Sequence, residues 1–490
     1  MAIATMNKRL YFGTDGVRGT VGRSPLIPEF MIRLGYAAGV VLSQKAGSQP
    51  TFLIGRDTRQ SGEMLQSALT SGLLASGATV VDLGVITTPG VAFMVQKLSA
   101  QAGVVISASH NPVVENGIKF FDANALKLCE EIELEIEAHL EMPMDLTSSS
   151  QLGRRVDGTE MRELYVDHLV DEHKDISLQG LKLVLDCANG AASWYAPEVF
   201  ARMGAEVVVI HASPTGVNIN EQAGSEHVRR KPEDLFALMR QYDANFGIVF
   251  DGDADRVIFV DEAGHLVDGD HMLAVLSDYF ISQDRLLGGT VVSTTMRNGA
   301  LVRYFSERGI RFIEMPVGDK YIMSELNKLR EAENPASKIG LGGEQSGHII
   351  LMDDDHATGD GLRSAIYLIR AFLASGRETL ADLAESINKY PQVIASAVVA
   401  EKIDLEQLQE VVRLRDDLKV SLPGLTRLNL RYSGTEPKVR LMMEADNRHT
   451  EEALAEKAFA LCEAVQEATG TPAGSFLEVL NVTRGGLVQR

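Results

Sequence analysis

The stretch FGIVFDGDADRVIFVDE runs from Phe246 to Glu262 and carries three aspartates at alternate positions, Asp251, Asp253 and Asp255. The apolar runs on both sides are typical of buried strands, and the polar segment between them predicts a tight turn. Carboxylates this close raise one another's pKa unless a cation offsets their charge. The stretch therefore predicts a buried strand that ends in a cluster of acidic side chains, called the acidic cluster below.

The acidic cluster allows more than one interpretation. An EF-hand is excluded, because its calcium loop requires glycine at the sixth position, where this chain has Arg256, and because the strand VIFV follows at once. A solvated acidic turn is the alternative for an isolated pair of aspartates. The apolar strands on both sides and the adjacent Arg256 favour a site for a small hard cation, and Mg²⁺ is the predicted ion.

One pattern of strand, polar loop, helix, glycine and second strand occurs three times. The copies lead from TFLIGRDTR to LLASGATVVDLG, from KLVLDCANG to VFARMGAEVVVI, and from TVVSTTMRNG to YFSERGIRFIEM, with their glycines at Gly77, Gly204 and Gly309. Each glycine follows a predicted helix, which commonly ends at a left-handed residue. Strand, crossover helix and strand form the building block of parallel or mixed sheets. The sequence therefore predicts three similar α/β domains with mixed sheets.

Changes in composition set the predicted domain boundaries. A stretch rich in Ser and Pro ends near Arg155, a helical pattern begins after Asp270, and a third junction lies near Tyr390. Beyond it, two charged helices and several strands predict a smaller α+β domain. The expected domains span residues 1–155, 156–270, 271–389 and 390–490. Within the first, the high Glu content of Glu130–Glu141 favours a helix.

Composition and charge narrow the function classes. The 490 residues are 45% hydrophobic and 23% charged, as in soluble globular proteins. The formal net charge of −20 argues against nucleic acid as a partner, because phosphate backbones attract basic surfaces. No stretch is apolar enough for a membrane span or a signal peptide. Three widely spaced cysteines without a CxxC pair indicate a reducing compartment. We therefore expect a cytoplasmic protein that binds neither nucleic acid nor membrane.

A second motif, SASHNP, begins at Ser107 and follows a predicted buried strand. Pro112 prevents an immediate helix, so the motif is expected in a loop. A serine held beside His110 is a candidate nucleophile or phosphate carrier, and Lys119 is a candidate acid, base or phosphate ligand. The alternative is a turn whose polar side chains are satisfied locally. A Mg²⁺ site with three carboxylates leaves coordination for a phosphate oxygen, which favours the phosphate interpretation.

The segment RYSGTEPKVR predicts a phosphate-binding loop between two strands. Glycine permits close backbone approach, hydroxyl groups donate hydrogen bonds, and arginine binds phosphate with two parallel N–H groups. An ordinary polar hairpin is the alternative, which the two flanking arginines disfavour. The candidate phosphate ligands are Arg431, Ser433, Gly434, Thr435 and Arg440.

Four motifs together resemble the α-D-phosphohexomutase superfamily. They are FGTDGVRG from Phe12, SASHNP from Ser107, DGDADR from Asp251 and RYSGTEPKVR from Arg431, and they stand in the order of that family. The resemblance spans roughly residues 10–465. It implies a four-domain molecule in which each domain contributes one motif to a central cleft.

The resemblance also implies roles for the residues near the acidic cluster. In the family, the second serine of the SASHNP motif carries a phosphoryl group, which implies Ser109 here. Ser109 and the three aspartates would hold Mg²⁺, and Arg18 and Arg256 would lie beside the phosphoryl group. His110 and Lys119 would handle the proton of the sugar hydroxyl, and either of them can be the base.

The segment LGGEQSGHII is expected to recognise the sugar. Glu344 and Ser346 offer hydrogen-bond acceptors and a donor for ring hydroxyl or amino groups. Gln345 excludes the GxSxG elbow of hydrolases, because it occupies the serine position. It resembles family members that act on glucosamine phosphate, whereas relatives that act on mannose phosphate commonly carry methionine there. His348 is expected in the same cleft, with a structural histidine as the alternative.

The reaction that the resemblance implies interconverts glucosamine 6-phosphate and glucosamine 1-phosphate through a phosphoserine and a bisphosphorylated sugar. Glucosamine 1,6-bisphosphate or glucose 1,6-bisphosphate would be the activator. The alternatives are the same chemistry on mannose or glucose phosphate, a noncatalytic sugar-phosphate sensor, and a metal phosphatase. A phosphorylated hexosamine is the expected partner, and a monomer or homodimer is the expected assembly. A further family-like signature, GRDTR from Gly55, has arginines without a predicted role.

Overall fold

A computed structural model describes residues 9–46, 49–146, 148–333, 337–433 and 437–490 of the chain. They form four β-sheets flanked by helices, and each sheet takes its strands from one continuous part of the chain. The first three parts are α/β units with mixed sheets, and the fourth is a smaller α+β unit. The predicted fold class is confirmed.

The first sheet is built from seven strands with four helices packed around them. The strands are β1 Phe12–Gly13, β2 Gly16–Thr20, β3 Thr51–Arg56, β4 Thr79–Val85, β5 Ala102–Ile106, β6 Glu115–Phe121 and β7 Arg155–Asp157. The helices are α1 Pro28–Ala46, α2 Ser61–Ala75, α3 Thr88–Lys97 and α4 Glu130–Leu140. The order is β1-β2-β6-β5-β3-β4-β7, with β5, β3, β4 and β7 parallel and the others antiparallel. Helix α4 confirms the helix predicted from the run of glutamates.

The second sheet contains the strands on both sides of the acidic cluster. Its strands are β8 Lys182–Asp186, β9 Glu206–Ile210, β10 Phe246–Phe250, β11 Val257–Val260 and β12 Leu266–Val267. Its helices are α5 Glu163–Glu172, α6 Ala192–Arg202, α7 Gly224–Arg230 and α8 Pro232–Tyr242, and a 3-10 helix spans Thr159–Arg162. The order is β12-β11-β10-β8-β9, with β10 parallel to β8 and antiparallel to β11.

The third sheet is again mixed and has four strands in the order β14-β13-β15-β16. They are β13 Leu286–Thr294, β14 Arg311–Met315, β15 Ile339–Gly343 and β16 Ile349–Met352. The helices are α9 Gly269–Ser282, α10 Ala300–Glu307, α11 Asp319–Ala332, α12 Gly361–Ser375 and α13 Leu380–Ala384. Only the last strand runs antiparallel to its neighbour.

The fourth sheet is antiparallel throughout, in the order β18-β19-β17-β20. Its strands are β17 Gln392–Val398, β18 Leu425–Tyr432, β19 Lys438–Ala445 and β20 Glu478–Asn481. Its helices are α14 Gln409–Ser421 and α15 Glu451–Ala468, and a 3-10 helix spans Leu405–Gln407. The last strand comes from the C-terminal tail of the chain and extends the sheet beside β17.

Apolar packing joins the first three units and leaves the fourth with a core of its own. One continuous cluster of buried side chains runs from Leu53 through the second sheet to Ile387, whereas the fourth sheet packs on a separate cluster. The three glycines that end the predicted crossover helices all have left-handed backbones, with φ between 68° and 102°. The glycines therefore end the three crossover helices in the predicted way.

No helix in the described part of the chain combines the length and the apolar character that a membrane span requires.

Candidate active site

The loop that joins β10 to β11 holds the acidic cluster. Asp251, Asp253 and Asp255 are all buried, and one carboxylate oxygen from each lies within 4.8 Å of the others. Ala254, between the last two, has a left-handed backbone with a φ of 55°. A tight turn of this kind lets alternate side chains converge on one point. The predicted arrangement of strand, acidic turn and strand is confirmed.

Ser109 reaches this loop from the first sheet. It lies in the turn after β5, is 1% exposed and has a left-handed backbone with a φ of 53°. Its Oγ donates a hydrogen bond to Asp251 Oδ2 at 2.5 Å and lies 3.3 Å from His110 Nδ1. A non-glycine residue in this conformation costs free energy that surrounding contacts must offset. The fold thus brings the SASHNP motif and the acidic cluster into direct contact.

Two buried residues of the GRDTR segment hold the Ser109 turn in place. Asp57 Oδ2 accepts hydrogen bonds from Ser107 Oγ at 2.6 Å and from Arg59 Nε at 3.0 Å. Arg59 also donates to the carbonyl oxygens of Ser109 and Asn111, at 3.0 and 2.9 Å. Arg59 is completely buried, so its guanidinium supports the turn from within. No role for Arg59 is predicted from the sequence, and the structure shows that it supports the Ser109 turn.

Lys119, on β6, bridges two members of the acidic cluster. Its Nζ donates to Asp253 Oδ2 at 2.8 Å and to Asp255 Oδ2 at 3.2 Å, and it lies 3.6 Å from Asp15 Oδ2. Thr88, the first residue of α3, donates its Oγ1 to the same Asp253 oxygen at 2.6 Å. The first domain therefore supplies a cation and a hydroxyl donor that hold the loop of the second domain.

Burial and mutual repulsion set the pKa values in this cluster. Burial, followed by the charges of Asp255 and Asp253, raises the pKa of Asp251 well above its usual range. Burial alone would also raise the pKa of Asp255, but Lys119 and His348 outweigh it and lower that pKa. Burial opposes the charge of Lys119, yet the neighbouring carboxylates raise its pKa. Lys119 is therefore charged at neutral pH. Its single positive charge faces the three carboxyl groups of the acidic cluster.

The predicted arginines and His110 surround the same point. Arg18 forms an ion pair with Asp15, and Arg256 donates its backbone N–H to Asp251 Oδ1 at 3.2 Å. The Nε atoms of both arginines are buried and have no hydrogen-bond partner among the described residues. Burial, followed by the charge of Arg256, lowers the pKa of His110 to about 3, so its imidazole is neutral. Two guanidinium donors thus remain for an anion.

The turn between β15 and β16 brings the third domain to the acidic cluster. His348 Nδ1 lies 3.6 Å from Asp255 Oδ1, and its Nε2 lies 3.4 Å from Asp319 Oδ2. Glu344, half-buried in the same turn, accepts a backbone N–H at 3.2 Å. Ser346 Oγ is buried and has no hydrogen-bond partner in the described part of the chain. A buried hydroxyl of this kind is suited to a ligand.

Gln345, between these residues, contacts the fourth domain instead. Its Nε2 donates to Asp270 Oδ2 at 2.7 Å and to Gln392 Oε1 at 2.8 Å, and the residue is 4% exposed. Gln392 is the first residue of β17, so this amide joins the turn of the third domain to the start of the fourth sheet. Gln345, which the resemblance associates with glucosamine phosphate as substrate, therefore makes a contact between the third and fourth domains.

The segment RYSGTEPKVR lies at the hairpin between β18 and β19. Arg431 stands directly opposite Arg440 in the antiparallel pairing, and Ser433 is buried beside the turn. Like charges in opposite positions destabilise a strand pair, and burial together with Arg440 lowers the pKa of Arg431. The predicted ligands Gly434 and Thr435 lie outside the described residues. The hairpin therefore places two arginines side by side at the predicted phosphate-binding segment.

Models of the phosphoglucomutase/phosphomannomutase family match four consecutive parts of the chain. Those of the α/β/α domains I, II and III match residues 9–145, 163–264 and 268–390, and that of the C-terminal domain matches residues 394–461. The chain belongs to the phosphoglucomutase/phosphomannomutase family. The resemblance to phosphohexomutases inferred from four short motifs is thereby confirmed.

Individual proteins of known name or structure are similar along nearly the whole chain. A phosphoglucosamine mutase from Methylobacillus flagellatus is 44% identical over 92% of this chain and 97% of its own length. A family protein from Burkholderia thailandensis has a similar crystal structure, with a TM-score of 0.72, 24% identity and coverage of 95% of this chain and 98% of its own. The N-acetylphosphoglucosamine mutase of Aspergillus fumigatus, solved with GlcNAc-6P and magnesium, has a TM-score of 0.63 and 17% identity, with coverage of 95% and 97%.

The acidic cluster of this phosphoglucomutase/phosphomannomutase family member fits a hard divalent cation. Asp253 Oδ1 and Asp255 Oδ1 are buried and have no hydrogen-bond partner among the described residues. Burying unpartnered carboxylate oxygens is costly unless a cation offsets the charge. Three oxygens within 4.8 Å of one another can be shared by one ion that prefers oxygen ligands.

Three residues that sequence reasoning left without a role connect the first and third domains beside this cluster. Lys127 forms ion pairs with Asp15 and with Asp319, whose Oδ2 lies 2.6 Å from the lysine Nζ. Asp15 belongs to the FGTDGVRG motif, so the sequence offered a signal for it. Asp319 lies in none of the motifs, so the sequence offered no signal for it. The pairs fix the position of the third domain relative to the Ser109 turn.

Proposed function

We propose that this protein interconverts glucosamine 6-phosphate and glucosamine 1-phosphate, with Ser109 as the carrier of the transferred phosphoryl group. The observation that carries the proposal is the buried Ser109 hydroxyl, held against Asp251 within a cluster suited to a divalent cation. The relative from Methylobacillus flagellatus, which bears the name phosphoglucosamine mutase, supports glucosamine phosphate as the sugar.

Ser109, Asp251, Asp253 and Asp255 are the proposed ligands of a Mg²⁺ ion. Bound there, the ion would withdraw charge from the transferring phosphoryl group. The unpartnered oxygens of Asp253 and Asp255 support this use of the cluster. The Aspergillus fumigatus protein with the same fold was solved with magnesium, which also supports it.

Transfer takes place in two half-reactions around one sugar. In the first, the bond between phosphorus and Ser109 Oγ breaks, a bond forms to the free sugar hydroxyl oxygen, and the proton of that hydroxyl passes to a basic side chain. The bisphosphorylated sugar then turns end for end. In the second, the other phosphoryl group returns to Ser109 Oγ, and its former sugar oxygen takes up a proton. His110, which is neutral and lies 3.3 Å from Ser109 Oγ, is the proposed proton acceptor, and the charged Lys119 is the proposed proton donor.

Arginine side chains are proposed to bind the two phosphoryl positions. Arg18 and Arg256, with buried and unpartnered Nε donors, face the group on Ser109. The phosphate that stays on the sugar is proposed to bind at the hairpin of the fourth domain, where two arginines oppose each other. Its proposed ligands are Arg431, Ser433, Gly434, Thr435 and Arg440. Arginine side chains bind phosphate through two parallel N–H donors, which supports this use of the hairpin.

The turn of the third domain is proposed to hold the sugar itself. Glu344 and the unpartnered Ser346 hydroxyl would bind its hydroxyl or amino groups, and His348 would line the same cleft. A trace of glucosamine 1,6-bisphosphate or glucose 1,6-bisphosphate would prime Ser109. The domain boundaries, the monomeric or homodimeric assembly and the cytoplasmic location stay predictions.

A substrate panel tests the proposal. Purified protein with Mg²⁺ and a trace of glucose 1,6-bisphosphate is supplied with glucosamine 6-phosphate, glucose 6-phosphate or mannose 6-phosphate, and formation of each 1-phosphate is measured. We expect the highest kcat/KM with glucosamine phosphate. Preference for mannose or glucose phosphate would show that the protein catalyses the same reaction on a different sugar. Turnover of none of them would favour a sensor, and release of inorganic phosphate would favour a phosphatase.

The serine is tested by Ser109→Ala. Because the transferred group has no other carrier in this proposal, we expect at least about a thousandfold loss of turnover. Mass spectrometry should detect phosphate on Ser109 of the parent protein after incubation with the bisphosphate. Thermal unfolding of the variant checks that the fold is retained. Undiminished turnover in Ser109→Ala would overturn the proposed mechanism.

A further inference from the structure

A second cluster of metal-binding side chains lies away from the proposed active site, where α5 meets the loop between β16 and α12. It comprises His168, Glu172 and His356, and we call it the histidine cluster. One ligand atom from each residue lies within 4.8 Å of the others, and the two imidazole Nε2 atoms are 3.2 Å apart. His168 and Glu172 are four residues apart on one helix, so both side chains leave the same face. Nothing in the proposed reaction uses these residues.

The distance between the two imidazoles agrees with shared coordination. Two nitrogens that bind one tetrahedral zinc ion at about 2.0–2.1 Å lie about 3.3 Å from each other. His168 Nε2 and His356 Nε2 face each other at 3.2 Å, the separation that such an ion requires. A carboxylate as third ligand and a water as fourth complete a common zinc arrangement.

Neighbouring side chains orient the ligands in the way that metal sites require. His356 Nδ1 lies 3.0 Å from Asp353 Oδ1, and a carboxylate there accepts the Nδ1 proton and leaves Nε2 unprotonated toward His168. The His168 ring stacks on Phe93 of the first domain, with centroids 4.5 Å apart. Arg363 donates from Nε to Glu172 Oε2 at 2.9 Å and from Nη2 to Oε1 at 2.6 Å, and the Tyr367 hydroxyl also donates to Oε1, at 3.0 Å. Because a carboxylate oxygen has two lone pairs, Oε2 can still bind an ion.

Charge and access also suit a cation. Arg363 brings one positive charge to this region, and the carboxylates of Glu172, Asp353 and Asp355 bring three negative charges. His168 and Asp355 line a cavity of about 560 Å³ whose rim is exposed. An ion can therefore enter from the surface.

We propose that His168, Glu172 and His356 form a second cation site that binds Zn²⁺ and joins the second domain to the third. Imidazole nitrogen selects zinc and similar transition metals, whereas Mg²⁺ prefers six oxygen ligands and stays with the acidic cluster. The site serves stability, because it ties α5 to the loop before α12. A hydrogen bond between the two imidazoles is the competing arrangement, and it binds no metal.

The test uses Co²⁺ as a spectroscopic probe on the full-length protein. A chelator first removes metals, excess Mg²⁺ then fills the acidic cluster, and Co²⁺ is titrated while visible absorption is recorded. We expect the intense spectrum of tetrahedral coordination, saturation at about one equivalent, and displacement by Zn²⁺. Only the weak spectrum of octahedral oxygen coordination would overturn the proposal. Phosphotransfer plays no part in this measurement, so its outcome is independent of the proposed function.

Three variants identify the ligands. His168→Gln and His356→Gln should each weaken binding by about a hundredfold, because each removes one of three protein ligands. The matched control is His227→Gln, since His227 lies beside a single carboxylate, that of Asp234 at 3.0 Å, and should bind no ion. Binding should change by less than about twofold in this control. Retained binding in both ligand variants would overturn the proposal.

Anomalous diffraction from parent crystals soaked in Zn²⁺ covers the case in which a ligand variant does not fold. We expect a peak between His168 Nε2 and His356 Nε2. A peak at the acidic cluster alone would show that the histidine cluster is a hydrogen-bonded pair and would overturn the site.

Discussion

The acidic cluster and the histidine cluster both gather side chains that suit a cation, but the chain builds them differently. The three aspartates come from one short loop between two strands. His168 and His356 are 188 residues apart and come from the second and third domains. The first arrangement is fixed by a local turn, whereas the second exists only when two domains pack together.

The two clusters also differ in how their charges are balanced. In the acidic cluster, Lys119 contacts two of three carboxylates, and two buried oxygens have no hydrogen-bond partner in the described residues. In the histidine cluster, Arg363 pairs with Glu172 and with Asp353. Carboxylate oxygens without a partner remain available to a ligand, whereas carboxylates already paired with a buried arginine depend on that arginine for their stability. We therefore expect substitutions in the first to affect turnover and those in the second to affect stability.

The largest predicted effect is on turnover, in Asp251→Asn. Loss of this charge should lower kcat by about a thousandfold, because it weakens stabilisation of the transferring group. Stability without metal should be unchanged or higher, since Asp251 is repelled by Asp255 and Asp253. Asparagine can still accept from the Arg256 backbone N–H and donate to Ser109 Oγ. Coupled assays and thermal unfolding in a chelator measure the two effects.

The effect of Mg²⁺ on thermal unfolding gives a second comparison between the parent protein and Asp251→Asn. Mg²⁺ should raise the unfolding temperature of the parent protein and not that of Asp251→Asn, because a ligand that binds only the folded state stabilises it. Asp167→Asn is the matched control, since Asp167 is an exposed carboxylate paired with Arg202 at 2.8 Å. It should keep both turnover and the Mg²⁺ response. Destabilisation of Asp251→Asn in the chelator would show that the acidic cluster is charge-balanced after all.

The second predicted effect is on stability, in Arg363→Met. Arg363 is 1% exposed and pairs with Glu172 at 2.6 Å and with Asp353. Its removal leaves two carboxylates without their cation, which should lower the free energy of unfolding by about 3 kcal/mol. Turnover of the folded protein should change by less than about threefold, because Arg363 lies outside the proposed active site. Urea unfolding and initial rates measure these quantities.

Arg370→Met is the control for Arg363→Met, because Arg370 lies on the same helix and pairs with Asp175, which is largely exposed. Exposed ion pairs contribute little, so we expect a loss of roughly 1 kcal/mol or less. Equal losses in the two variants would show that burial does not set the value of the Arg363 pairs.

The sequence predicts features that are formed within one short segment better than contacts between distant segments. Ser109, His110 and the three aspartates stand in short motifs whose spacing follows from a strand and a turn, and the structure brings them together as expected. The crossover units are equally local, because a glycine ends each helix at a fixed distance from its strand.

Contacts between distant segments were beyond sequence reasoning. Arg59 supports the Ser109 turn from 50 residues away, and Lys127 meets Asp319 across 192 residues. The histidine cluster gives no sequence signal, because neither His168 nor His356 stands in a motif. Gln345 does stand in one, but its amide points to the fourth domain, which depends on how two domains pack. Pairings of this kind follow from tertiary structure alone.

The smallest predicted effect concerns Gln345→Met. Its amide makes two buried hydrogen bonds, to Asp270 and Gln392, so its loss should cost about 1–2 kcal/mol of stability. Because the side chain contacts the fourth domain, the ratio of kcat/KM for glucosamine phosphate over glucose phosphate should change by less than about threefold. Parallel assays with the two sugars measure that ratio.

Ser346→Ala is the neighbouring comparison, since the two residues share one turn and differ in where their polar atoms point. The Ser346 hydroxyl is buried without a hydrogen-bond partner in the described chain, so its loss should leave stability unchanged and raise KM by about tenfold. If Gln345→Met instead reverses the sugar preference, the glutamine selects the substrate, as its resemblance to the glucosamine members suggests. The contact between Gln345 and the fourth domain would then contribute to substrate selection. At this turn, a contact formed between domains would therefore also be part of the substrate-binding site.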